Sequence, residues 1–144
     1  MTGEPRQGVP EMIVYIDHSD IHEGRLEDLK EGIRRLVDFI ETHEPQLTAY
    51  GFHLDEDAAR MTVVAVHPDT ASLELHLGIG NEEFRKLGEM ITLRQIRVFG
   101  PVSDRAREML ERKAEMLGGS VSVSERFAGF TRLPQGRGLT GNAQ

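Results

Sequence analysis

The chain has 144 residues, 38% hydrophobic and 28% charged, a length suited to one domain rather than two. It contains no cysteine, which excludes a disulfide framework, a thiolate metal site and a cysteine nucleophile. The formal net charge of −7 repels phosphate backbones, so no nucleic-acid partner is expected. No apolar run approaches the ~20 residues of a bilayer span, and the start lacks a basic region followed by an apolar stretch, so the expectation is a cytoplasmic protein with no membrane partner.

Residues 1–11 carry prolines and glycines with little apolar content and are predicted to form a flexible arm. Met12-Ile13-Val14-Tyr15-Ile16 reads as a strand that the polar Asp17-His18-Ser19-Asp20 brings to an end. Over 22–43 the residues Leu26, Leu29, Ile33, Leu36, Val37 and Ile40 fall on one stripe of an amphipathic helix. Glu44-Pro45 terminates it, because a residue before proline is pushed out of the helical region. Strands over 47–54 and 61–67 flank the acidic turn 55–60 and predict a hairpin.

Asp69 is placed to cap a short helix over 70–77, and Asn81 a second over 82–87. A strand over 91–99 closes at Gly100-Pro101. Ser103-Asp104 opens a helix whose stripe is Ala106, Met109, Leu110, Ala114 and Leu117, and Gly118-Gly119 stops it. Ser120-Val121-Ser122-Val123-Ser124 alternates with period two, which predicts a last strand. The domain thus spans 12–133, and the Gly-rich residues 134–144 form a flexible tail.

This order is that of an α+β, ferredoxin-like antiparallel sheet with helices on one face. The expected arrangement places the first and third strands side by side and running the same way. It gathers Asp17, His18 and His67 at one end with Leu47 and Ile91, and the insert 70–90 forms a lid there. One helical layer leaves the other sheet face bare, so a homodimer is expected.

Several short segments resemble those of a known family: Glu44-Pro45 followed by Tyr50, Val66-His67-Pro68-Asp69, Ala71-Ser72-Leu73-Glu74-Leu75-His76, and Ala128-Gly129-Phe130-Thr131-Arg132. Over roughly 12–133 the chain resembles the antibiotic-biosynthesis-monooxygenase-like group of dimeric α+β barrels. The resemblance implies a homodimer whose two sheets face each other, with a pocket between sheet and helices in each subunit. Some members of the group oxidise quinols or polycyclic phenols with dioxygen and no cofactor, others degrade haem, and many have no established activity. The haem-degrading branch uses a tryptophan to buckle the porphyrin, and this chain has none. The expectation is therefore a cofactor-independent monooxygenase acting on a phenolic or quinol-like molecule; the alternative is a non-catalytic protein of the same fold that binds a small apolar or aromatic ligand or serves in assembly.

Such chemistry needs a base in a dry pocket. His76, three residues after Leu73, lies on the buried side of its helix and is the candidate catalytic base; the family pattern also puts a histidine at this point. Tyr50 shares strand parity with Phe52 and Leu54, which makes Tyr50 a candidate hydrogen-bond donor to a substrate oxygen, with Phe52 stacking beside it. Phe84, Leu87 and Met90 complete a candidate apolar wall. Each of these residues also has a plain reading as core packing, and for His76 that reading is a satisfied structural histidine.

His18, His67, Glu44 and Asp69 have metal-ligating chemistry, but none has the close spacing of dedicated ligand pairs, so no metal is expected. His53 lies by the hairpin turn, away from His67. Gly136-Arg137-Gly138-Leu139-Thr140-Gly141 spells a dinucleotide fingerprint with no strand before it and no room for a helix after it, so it predicts no phosphate site. Arg126, Arg132 and Arg137 against Glu125 make the C-terminal segment basic. It is read either as an arm across a partner subunit, anchored by Phe127 and Phe130, or as a strand completing its own sheet.

Overall fold

A computed structural model describes residues 11–79 and 82–132; residues 1–10, the expected cap Asn81 and the glycine motif of the tail lie outside them. The elements follow the predicted order: β1 (Ile13–Ile21), α1 (Leu26–His43), β2 (Ala49–Asp55), β3 (Arg60–His67), α2 (Thr70–Gly78), α3 (Glu82–Gly88), β4 (Ile91–Phe99), α4 (Asp104–Leu117) and β5 (Ser120–Ser124). The architecture is α+β and ferredoxin-like, with a five-stranded sheet ordered β2-β3-β1-β4-β5.

Three differences from the sequence expectation have physical causes. β1 continues to Ile21 because its alternation persists through the polar run: Ile13, Tyr15, Asp17, Ser19 and Ile21 are all buried. The sequence marks Asp17 and Ser19 as the end of a strand only because they are polar. α1 accordingly begins at Leu26 rather than at residue 22. β5 pairs parallel to β4, so the sheet is mixed at that edge. The α4 crossover between them carries the chain back to the same starting end.

The third correction concerns strand direction. β1 and β3 are neighbours but run antiparallel, with Ile13 opposite His67 and Asp20 opposite Arg60. The crossover through α1 makes β2 parallel to β1, and the hairpin return then forces β3 against both. His67 therefore sits at the Ile13 end, whereas His18 pairs with Thr62 further along and Ile91 pairs with Ile21 at the opposite end. The insert cannot be a lid over one end. It runs the length of the sheet on the helical face, α2 packing on α4 and α3 on α1.

Local chemistry sets the helix ends. Asp69 caps α2 by accepting from the Ser72 N–H at 2.9 Å, and Ser103 caps α4 by accepting from Ala106 at 3.0 Å. Gly118 closes α4 in the left-handed conformation, φ +91°. Leu29, Leu36 and Ile40 of α1 and Ala106, Leu110 and Ala114 of α4 meet the inner residues of the sheet in one core. On the opposite face Val14, Ile16, Val64, Val66 and Phe99 are only half-buried. Among the described residues no helix is long and apolar enough to cross a membrane.

Gly100 ends β4 at φ +131°, and a Cβ there would lie 2.8 Å from the Met12 carbonyl oxygen. Backbone cannot yield as a flexible side chain would. Gly100→Ala is expected to cost about 2 kcal/mol, seen as a lower urea midpoint at unchanged slope.

Candidate functional site

Two buried polar clusters lie beneath the helical layer. The first joins the end of α1 to α2. Glu44 is the residue that caps the C-terminus of α1, and its side chain is sealed, with the residue 2% exposed. The buried side of α2 carries Ser72, Leu73 and His76. His76 Nδ1 lies 2.9 Å from Glu44 Oε1 and 2.8 Å from Oε2. A carboxylate offers only acceptors, so Nδ1 carries a proton, and in that tautomer of the imidazole Nε2 is the acceptor. Among the described residues Nε2 has no hydrogen-bond partner.

The cluster extends backwards through Gln46. Its Nε2 donates to Ser72 Oγ at 3.3 Å and, at 3.5 Å, to Glu44 Oε1. Ser72 Oγ lies 2.7 Å from His67 Nδ1. His67 is fully buried and its Nε2 has no partner among the described residues. Burial, reinforced by the neighbouring His76 and opposed by Asp69, pulls its pKa down to about 4. His67 is therefore neutral at neutral pH.

The second cluster joins β1 to α4. The Tyr15 hydroxyl donates to Asp17 Oδ2. Lys113 Nζ donates to the Tyr15 hydroxyl at 2.7 Å and lies 3.9 Å from Asp17 Oδ2. Burial raises the Tyr15 pKa well above the ordinary value, and the charge of Asp17 adds to it. Burial also lowers the pKa of Lys113, against the pull of Asp17. Asp17 Oδ1 and Ser19 Oγ are buried without a partner among the described residues.

Two cavities connect these clusters. An open pocket of about 510 Å³ lies between the insert and α4, bounded by His76, Leu77, Phe84, Met109, Lys113 and Leu117 among others. Beneath it an inner chamber of about 60 Å³ reaches the sheet at Tyr15, Asp17, Ser19, Tyr50 and Phe52. His76, Phe84, Gly88, Lys113 and Leu117 line both, so the two abut. The Tyr50 ring stands edge-on to His76 at 5.3 Å and to Phe52 at 5.2 Å, and Phe84 approaches His76 at 5.7 Å. Burial raises the pKa of Tyr50, with smaller contributions from Asp17 and Glu44, so its hydroxyl keeps its proton.

The structure thus brings His76, Tyr50, Phe52, Phe84 and Leu87 together around the inner chamber. Met90 is placed elsewhere. It is buried with its Cε against Gly32 of α1 and lines neither cavity. His18 is separated from His67 by the antiparallel register and bonds Thr62 Oγ1 at 3.0 Å. His53 also pairs with Thr62, near the hairpin turn. Among the described residues no group of three or more His, Cys, Asp or Glu is arranged to hold a metal ion. Sequence reasoning missed Tyr15, Asp17, Ser19 and Lys113. The signal was their parity with Ile13 on β1 and, for Lys113, a place on the stripe between Leu110 and Leu117.

No family model matches the sequence, and no curated protein matches it. Solved structures do match in fold. MupZ from Pseudomonas fluorescens is 18% identical, covering 85% of this chain and 95% of that one, with a TM-score of 0.62. SnoaB, a cofactor-independent oxygenase from Streptomyces nogalater, is 14% identical over 65% of this chain and 95% of its own, TM-score 0.54. A Caulobacter crescentus protein described as a candidate antibiotic biosynthesis monooxygenase is 14% identical over 66% and 93%, TM-score 0.52. The chain therefore has the fold of the antibiotic-biosynthesis-monooxygenase-like proteins, as its sequence segments imply.

The state of His67 makes stability depend on pH. Its folded pKa of about 4 lies below the ordinary value of 6.5, so the unfolded chain takes the proton first. The stability this contributes is complete above pH 6.5 and is lost as pH falls towards 4. Between about pH 7 and about pH 4.5 the loss is roughly 2–3 kcal/mol. In urea titrations over this interval His67→Gln is expected to lose less stability than the wild type by about that amount.

Proposed function

We propose that the protein is a cofactor-independent oxygenase that acts, as a homodimer, on a phenolic or quinol-like molecule. One observation carries this reading: a buried histidine, oriented by a sealed carboxylate, whose remaining nitrogen has no partner among the described residues at the junction of two mostly apolar cavities. His76 Nε2 takes the proton from a substrate hydroxyl or acidic C–H. Glu44 holds the ring through Nδ1–H and stabilises the imidazolium that forms. Tyr50 donates to the substrate oxygen, and Phe52, Phe84 and Leu87 keep water away from the resulting anion. That electron-rich anion reduces dioxygen within the pocket; one oxygen atom enters the product as a carbonyl and the other leaves as water. The fold likeness to SnoaB supports the reaction class, and no step requires a metal or an organic cofactor.

The test is dioxygen uptake above the autoxidation rate with 1-naphthol and 1,4-dihydroxynaphthalene. His76→Ala is expected to lower kcat by about 10²–10⁴-fold with the fold retained. Glu44→Gln is expected to lower it less, because the ring loses the carboxylate that orients it and stabilises the imidazolium formed in the step. A melting-temperature loss in His76→Ala with uptake unchanged would return the histidine to a structural role.

The dimer places the half-buried Val14, Ile16, Val64, Val66 and Phe99 of two sheets against each other. Sedimentation equilibrium is expected to give two copies per particle for the wild type and one for the double variant Ile16→Asp, Val64→Asp.

A further inference from the structure

Asp17 and Ser19 each carry one buried oxygen that the fold leaves unused among the described residues. Both lie on the inner side of β1, two residues apart, and both line the inner chamber. Asp17 is 5% exposed and Ser19 1%, and Asp17 Oδ1 and Ser19 Oγ lack partners among the described residues. A buried polar atom left unpaired is costly, more so when charged. A chamber of about 60 Å³ has room for the polar tip of a ligand, or for about two waters at ~30 Å³ each.

The charges around the chamber select the kind of tip. An anion would meet Asp17, and a cation would meet the Lys113 ammonium 3.9 Å from Asp17 Oδ2. A neutral donor meets neither objection. Tyr15 hydrogen-bonds Asp17 Oδ2, Lys113 Nζ stands 3.9 Å from that same oxygen, and Oδ1 is left without a partner among the described residues at the edge of the chamber that Asp17 lines.

We propose that Asp17 Oδ1 and Ser19 Oγ form a subsite for a neutral hydroxyl of the substrate, reached from the open pocket past His76, Phe84 and Lys113. This rests on the oxygenase reading for the identity of the ligand and extends it: the substrate is an aromatic molecule that presents a hydroxyl to the sheet, in addition to the group that His76 deprotonates. Asp17 selects and positions this hydroxyl, Lys113 and Tyr15 hold the carboxylate, and the chamber admits no larger substituent at that position.

The experiment measures binding, so its outcome is separable from turnover. The chain has no tryptophan, and naphthalene fluorescence can be excited above the tyrosine band. In a His76→Ala background, where the base cannot account for hydroxyl preference, 2-naphthol and 2-methoxynaphthalene are titrated against the full chain. The expected result is about ten-fold or more tighter binding of the naphthol, abolished by adding Asp17→Asn and reduced about three-fold or more by adding Ser19→Ala. Circular dichroism checks that each variant is folded. If Asp17→Asn does not fold, Ser19→Ala decides: an unchanged preference overturns the subsite. A chamber occupied by water alone gives no preference in the His76→Ala background, and that also overturns it. Either outcome leaves dioxygen uptake by the wild type intact, whereas absent uptake with preference retained overturns the oxygenase reading and keeps the subsite.

Discussion

The pair of contacts between Glu44 and His76 Nδ1 is the constraint on which the arrangement of the site depends. A carboxylate sealed at the end of a helix is expensive to leave without donors, and removing the partner of such a pair costs about 3–5 kcal/mol. His76 on α2 answers that demand, with a weaker contact from Gln46. The end of α1 and the last turn of α2 are thereby held to one another. Because α2 also packs on α4 and α3 on α1, the insert becomes an arch over the sheet. The pocket is the space beneath and beside that arch, and the orientation of one imidazole follows from the same bond.

The sheet meets this arch with polarity of its own. β1 is central, flanked by β3 and β4, so its inner residues are the deepest positions under the helices. Ordinary packing would fill them with aliphatic side chains. Here Tyr15, Asp17 and Ser19 stand between Ile13 and Ile21, with Lys113 descending from α4 over the Tyr15 ring at 4.9 Å. Replacing buried ionic groups with apolar ones of similar shape is often neutral or stabilising. Their presence in the middle of a core is thus poorly explained by stability and better explained by what the adjoining cavity holds. His76 of the first cluster and Tyr15, Asp17 and Lys113 of the second line one chamber, and burial keeps His67 neutral and Tyr15 and Tyr50 protonated.

Legibility in the sequence followed hydrophobic contrast. The stripe of α1, the capping residues Asp69 and Ser103, the Gly118 stop and the alternation of β5 all appear at their predicted places, because each signal is local and depends on apolar or capping residues. The end of β1 was misread where the buried positions turn polar, at Asp17 and Ser19. The same residues form the floor of the inner chamber, so the failure of the pattern and the site coincide. Glu44 was visible as a helix terminator and a polar residue but not as the partner of His76, since 32 positions separate them. Met90 has the apolar character of a pocket wall, yet the space beside Gly32 takes it instead.

By itself the sequence determined the order and kind of the elements, the side of each that is buried, and the absence of thiol chemistry, because these depend on spacing and composition alone. Only the tertiary structure decided the direction of β3 beside β1, the path of the insert along the sheet, and the meeting of Glu44 with His76 and of Lys113 with Tyr15. Those outcomes depend on the handedness of crossovers and on which distant donors can reach a buried acceptor, and neither is written in any local stretch of the chain.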